Sequence, residues 1–586
     1  MPPRGEFFRE KHGESLIGEE LRKAAIDFCN DISKEYKGSS IVSASFYGSR
    51  VSGHPRKDSD LDLLIILEPF PRGVLYHYKD LGDFTISALM VDKGLFEGDV
   101  EKAQLGEFVA GRLITPFIPF LGAEYLRLQE VKAKERFILE SLESLVASYP
   151  KISRELRIKP EFFIFDKMEK RSRIYPPVAY SYQKMLAEDL RKTNIALIME
   201  GFLEALRKLQ GQGLIGFDGE FVTIKPSLYD FLRRRRLGAL QVIKDIKKAA
   251  VGYFIHGYAG RSVSPITVAQ EFASKIKREI AQEEELGKID DPLNYLYLPS
   301  KAGLVRLSER AYIEALPKHI DYLKDFEITG IRKLGTAVNF VYLLTMRRGT
   351  EERHIAVKLF KDWHGLKWFP LALWTLGVQK FALRGSSRLA NEYTALMHLR
   401  KWGLPAPEVL HVSWANRMLF TEFIEGTNAQ DLLKSFFSGE REGKGKGEGE
   451  GEGEEGEDKL QDILWRVGMA LAEVHETGMV LGDPKPENIV VDVGGNIYFL
   501  DLEQAILEGG DPAWDLAELL YYSGHYTFSP GRVSILTKRL VGGYVTKGSK
   551  DIVAKALKPK YVRVFAVITP PHILRTIIKQ CKEIIS

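Results

Sequence analysis

Apolar positions recur with a helical period near the start of the chain, where Leu16, Leu21, Ala24, Ala25 and Phe28 of SLIGEELRKAAIDFCNDISKEY (15–36) share one face of an amphipathic helix. The period then shortens. SIVSASFYGSR is β-rich, and LDLLIILEP and FTISALMV are apolar runs short enough to be buried strands, which predicts a small α/β unit ending near residue 125. A charge-laced helix over 126–148 leaves that unit and opens a helical region. Towards the C-terminus IRKLGTAVNFVYLLT reads as strand, turn, strand, HIAVKLFK as an alternating strand, and SSRLANEYTALMHLRKWG as a helix.

Within the middle of the chain, NIALIMEGFLEALRKLQGQGLIGFDGEFVTIKPS has a helix, a glycine break at 211–213 and two short strands turning at Asp218-Gly219, the cadence of a winged helix. A second such unit is drawn from LGALQVIKDIKKAAVGYF to NYLYLPSKAGLVRLS. The expected organisation is therefore multidomain α+β: a head over 1–125, helical and winged-helix regions over 126–226 and 227–325, and a bilobal C-terminal domain over 326–586. The glycine- and glutamate-rich stretch 439–458 has no apolar side chains to bury and is expected to be a disordered insertion in that last domain.

Composition narrows the setting. Two cysteines in 586 residues, Cys29 and Cys581, are too few for a disulfide framework, and the apolar run WFPLALWTLGV (368–378) is too short to span a bilayer, so a soluble cytoplasmic protein without a membrane partner is expected. The net charge of +4 conceals an asymmetry: residues 439–458 carry nine acids and three bases, so the rest of the chain sums to +10. Residues 225–248 hold eight bases against two acids, and Arg233, Arg234, Arg235 and Arg236 there are candidate nucleic-acid contacts, or else a solvated helix face.

Phosphoryl transfer from ATP needs a loop over the phosphates, a cation on their oxygens, metal ligands and a carboxylate near the attacking hydroxyl. Each has a candidate in the C-terminal half of the chain. The turn at Gly335 and Thr336 would set backbone amides over phosphate; Lys358 lies on the alternating strand; Glu392, on the following helix, could pair with it. In LGDPKPENI, Asp483 and Asn488 have the D-x-x-x-x-N spacing, and Asp501 follows the strand NIYFLD.

These motifs, with MLFTEFIEG and LDLEQA, make residues 326–586 resemble the small archaeal-type atypical kinases, the RIO kinases and the kinase subunit of the KEOPS complex. The resemblance implies ATP and Mg2+ (or Mn2+) as cofactors, Asp483 as general base, Lys485 at the γ-phosphate, Asn488 and Asp501 as metal ligands and Asp515 in PAWDLAELLYY as the brace of the catalytic loop. The chain departs from ordinary kinases in three ways: a glycine-poor phosphate loop, Leu481 where a scaffold histidine is usual, and Asp-Leu-Glu at 501–503 with no A-P-E segment after it. A phosphorylation-switched activation loop and a peptide-docking platform are therefore not expected.

GSRVSGHPRKDSDLD resembles the signature of minimal nucleotidyltransferases of archaea and bacteria. Gly48 would allow a tight turn, Ser49 would meet a triphosphate, and Asp60 and Asp62, two apart, would share metal ions. The third carboxylate of such sites is missing inside FTISALMV, with Asp83 and Asp92 only at its ends. The two ends together predict a kinase acting on an RNA hydroxyl, with tRNA the favoured partner. A serine/threonine protein kinase with a protein substrate, and a nucleotidyltransferase regulated by its kinase-like domain, are the alternatives.

Overall fold

A computed structural model describes residues 17–586 apart from 57–58, 176, 235–247, 249–250, 252–254, 256–286, 312, 314–315, 317–319, 335–339, 363–381, 383 and 439–449. The chain divides into two compact units, Met1–Tyr297 with Arg306–Ser308, and Leu298–Val305 with Glu309–Ser586.

In the first unit, helix α1 (Glu19–Glu35) buries Ala25, Phe28, Cys29 and Ile32. It lies on a sheet of β1 (Ser40–Tyr47), β2 (Leu61–Glu68), β3 (Val74–Asp80), β4 (Thr85–Asp92) and β5 (Ile118–Leu121), in the order β3-β4-β2-β1-β5. β2 is buried along nearly its whole length because it pairs with β1 on one side and, in parallel, with β4 on the other, which is why it reads as an unbroken apolar run. Strand β3 was not foreseen. It is an edge strand whose outer half is polar, so only Val74 and Tyr76 are buried.

Helix α2 (Lys93–Lys102) follows β4, and α3 (Ala123–Ser148) then ties the sheet to the helices beyond it. Arg136 on α3 donates to the Val100 carbonyl at 2.8 Å, while the fully buried Lys134 donates to Ile198 O at 2.7 Å on helix α4 (Glu188–Gly211). Because α3 is held from both sides, the boundary expected at residue 125 falls inside one unit, as does that at 226. The helix-then-hairpin pattern is present: α4 leads into β6 (Ile215–Asp218) and β7 (Phe221–Ile224), which turn at Gly219 with φ +60°. Most of the second unit of this kind, drawn over 227–325, lies outside the described residues or beyond the first unit.

The boundary expected at 325/326 moves back to 297/298. Ala311, Leu316, Ile320, Leu323 and Phe326 find their burial in the same core as Leu344, Met346, Ile355, Val357 and Phe420. That core backs a sheet of β8 (Glu327–Lys333), β9 (Phe340–Arg348), β10 (Glu351–Leu359), β11 (Val409–Ser413) and β12 (Met418–Glu422), in the order β8-β9-β10-β12-β11, with helix α5 (Gly385–Lys401) beside it. Beyond Glu422 come a three-stranded sheet of β13 (Gly426–Asn428), β14 (Ile489–Asp492) and β15 (Ile497–Phe499) and a set of helices.

Two of those helices, α6 (Glu450–Glu476) and α8 (Pro530–Val545), cross at glycines: a Cβ on Gly468 would strike the Leu540 carbonyl, and one on Gly543 the Trp465 carbonyl. Between them in sequence runs α7 (Pro512–Gly524). Helix α6 begins at Glu450, so the last nine residues of the stretch expected to be extended, 450–458, are helical. Among the described residues no helix is long and apolar enough to cross a membrane.

Candidate functional site

The chemistry of the second unit gathers around Lys358. It lies on β10 opposite Val341 of β9 and Leu419 of β12, and alternation along the strand directs it away from the core that Val357 fills. Its ammonium lies 2.5 Å from Glu392 of α5, in contact with Asp501, and 3.2 Å from Glu503. Burial disfavours its charge, but Asp501, Glu392 and Glu503 outweigh that and hold it above the ordinary lysine range. Glu392 is pushed up to about 7 by burial, although Lys358 pulls it down.

Glu503 was not singled out from the sequence except as a departure from the usual triplet. The structure gives it a partner: Arg388, on the first turn of α5, donates to both its carboxylate oxygens at 3.0 Å, and Asn391 Nδ2 donates to its carbonyl at 2.6 Å. Three acids thus face two cations in a buried pocket, and ligand oxygens of Glu392, Asp501 and Glu503 lie within 4.8 Å of one another. An excess negative charge in a low-dielectric pocket is what a divalent cation would neutralise. Asp501 itself has φ +57°, a left-handed conformation that is strained for a residue with a Cβ.

The loop 481–489 supplies the second half of the site. Asp515 of α7, fully buried, accepts from Leu481 N at 2.6 Å and Gly482 N at 2.8 Å. His475, at the end of α6, lies 3.1 Å from Asp515 Oδ2 and 2.8 Å from Tyr544 Oη. Trp514 Nε1 donates to Gly482 O at 3.1 Å. Asn488 Nδ2 donates to Asp483 O at 2.9 Å. Lys485 Nζ lies 2.6 Å from Asp483 Oδ1. Gly335 and Thr336 fall outside the described residues.

In the first unit, Gly48 at the end of β1 has φ +82°, and a Cβ there would collide with Asp62 Oδ2. The chain then winds tightly, with Ser52 N bonded to Gly48 O at 3.0 Å and His54 N to Ser49 O at 3.0 Å. Arg50 spans the loop to Ser59 O at 2.6 Å and Asp60 O at 3.3 Å, so Gly48, Ser49, Asp60 and Asp62 share one end of the sheet. In the parallel register the residue facing Asp62 on β4 is Ser87, which is fully buried. A third carboxylate on that strand would stand there; Asp92 instead caps α2, accepting from Gly94 N at 2.9 Å. Arg233 and Arg234 are exposed at the end of helix Pro226–Arg234, and Arg235 and Arg236 lie outside the described residues.

Residues 27–173 match the family model for the nucleotidyltransferase domain, which assigns the N-terminal part of the chain to that class. The match runs past the expected end at 125 and takes in α3. No curated protein matches the chain. Solved structures that do include three of WbdD, one described as a bifunctional kinase-methyltransferase and one as a co-crystal with the kinase inhibitor LY294002. They are 14% to 16% identical, with TM-scores of 0.23 to 0.24; the alignments cover 44% of this chain and 45% to 47% of those chains, less than half of either.

Proposed function

We propose that the second unit is an ATP- and magnesium-dependent phosphotransferase of the RIO and KEOPS-kinase type, acting on a hydroxyl group. The observation that carries this reading is the Lys358 ammonium held jointly by Glu392 and Asp501, residues from three separate parts of the chain. Such a cation is fixed in place and charged, ready for the α- and β-phosphate oxygens of ATP. Asp501 and the Asn488 amide oxygen are the groups that would hold Mg2+ (or Mn2+), which when bound screens the phosphate charge.

In this reading the acceptor oxygen attacks the γ-phosphorus, the bond from that phosphorus to the β,γ-bridging oxygen breaks, and ADP departs. Asp483 takes the hydroxyl proton, and Lys485 beside it offsets the charge on the transferred group. The favoured acceptor is an RNA hydroxyl, tRNA in particular. Its support is the nucleotidyltransferase domain in the same chain and the exposed Arg233 and Arg234. A protein serine or threonine is the alternative acceptor.

The test is incubation with ATP labelled separately at α and γ, with tRNA and a generic protein offered together. The γ label should appear on RNA and be lost in Asp483→Ala; γ label on protein in preference to RNA would overturn the acceptor, and no γ transfer at all would overturn the kinase. The family match favours one second reading, nucleotidyl transfer by the N-terminal domain. It requires α-label transfer that disappears in Asp62→Ala, and Ser87 beside Asp62 weighs against it.

A further inference from the structure

Glu518 lies one helical turn beyond Asp515 on α7, the same helix that braces the 481–489 loop, and it is only 5% exposed. It faces Asp483 within hydrogen-bond reach, and Lys485 is a cation that acts on it. That cation is already committed to Asp483 at 2.6 Å. The other groups around it are Asp515 on its own helix, engaged by Leu481 N, Gly482 N and His475 from α6. Among the described residues nothing donates to Glu518 Oε2, which is fully buried.

A buried carboxylate oxygen with no donor is costly, and a second negative charge beside Asp483 would have no counter-ion. Both problems disappear if Glu518 carries a proton and gives it to the neighbouring carboxylate as a hydrogen bond. Burial, with the Asp483 charge adding to it and Lys485 opposing, does push Glu518 well above the usual carboxylate range.

We propose that Glu518 is a positioning residue for the base: its neutral carboxyl group donates a hydrogen bond to Asp483 and, with Lys485, fixes the Asp483 carboxylate towards the acceptor hydroxyl. The role as part of a phosphotransferase rests on the function proposed above; the carboxyl pair does not. During turnover Glu518 keeps its proton, and the acceptor's proton goes to Asp483.

The full chain and its Glu518→Gln and Glu518→Ala variants test this. The infrared difference spectrum between the parent and Glu518→Gln at pH 7 should contain the carbonyl stretch of one protonated carboxylic acid; its absence overturns the proposal whether or not the protein turns over. Glu518→Gln, still a neutral donor, should keep kcat within about threefold. Glu518→Ala should lower kcat by roughly tenfold or more at an unchanged KM for ATP. A loss in Glu518→Gln as large as that in Glu518→Ala would mean that a neutral donor does not do the work of Glu518 and overturn the assignment. Should the parent move no γ-phosphate while the infrared band is present, the kinase reading fails and the neutral carboxyl donor stands.

Discussion

At the scale of single residues, Lys358 is held by three carboxylates, one of which, Glu503, also pairs with Arg388. Replacing Lys358 by methionine should abolish measurable γ-phosphate transfer, with a loss of at least about a hundredfold in kcat/KM. It should also destabilise the second unit by roughly 3–5 kcal/mol, because the acids lose their counter-ion. Steady-state kinetics and a chemical denaturation curve read the two effects. Gly48 makes a complementary case in the first unit. Gly48→Ala puts a methyl group against Asp62 Oδ2 at a backbone φ of +82°, and should cost about 1–3 kcal/mol while leaving γ transfer untouched. Differential scanning calorimetry on the same preparation used for the kinase assay checks both halves of that statement.

At the scale of elements, the crossing of α6 and α8 depends on Gly468 and Gly543. A side chain at either position must push one helix off the other's backbone, so Gly543→Val should destabilise the second unit by about 3 kcal/mol, seen as a lower denaturation midpoint with His475 and Asp515 displaced. The first unit is joined differently, by a buried ionic cluster linking α3 to its neighbours. Arg136 lies 2.7 Å from Glu107 and 2.8 Å from Glu140, Lys167 2.9 Å from each acid, and Lys248 2.8 Å and 3.0 Å from them. Burial works against the charge on Glu140, but Lys167, Arg136 and Lys248 together bring it down to about 2 from its ordinary 4.5. A depressed acid stabilises the fold above its unfolded value and loses that contribution as pH falls through the folded one, so the loss belongs to the window from about 4.5 down to about 2. Glu140→Gln should therefore be less stable than the parent at pH 7, with the gap narrowing as pH falls through that window. Thermal melts at pH 7 and pH 3 measure it.

At the scale of the molecule, two candidate nucleotide sites occupy different compact units. Asp483→Ala should abolish γ transfer and spare nucleotide binding at the N-terminal site, while Asp62→Ala should do the reverse. Equilibrium binding of a non-hydrolysable nucleotide beside the γ-label assay separates the two. Affinity for tRNA should fall steeply with added salt, since contacts such as Arg233 and Arg234 would act by displacing counter-ions from phosphate.

Much of this was legible in the one-dimensional pattern. Lys358 on its alternating strand, Asp483 and Asn488 at their spacing, Asp501 after its strand and the Gly48 turn before Asp62 are local arrangements, and strand or helix periodicity fixes which side chains share a face. What the sequence could not supply was the pairing between elements distant along the chain. The partnership of Glu503 with Arg388, the contact of His475 with Asp515, the burial of Glu518 beside Asp483 and the meeting of Ser87 with Asp62 all arise from register and packing across 25 to 115 residues. The unit boundary at 297 belongs with them, because Leu323 and Phe326 are apolar in any reading and only the sheet they cover decides which core they join. Periodicity reports a face; burial and charge depend on what that face meets.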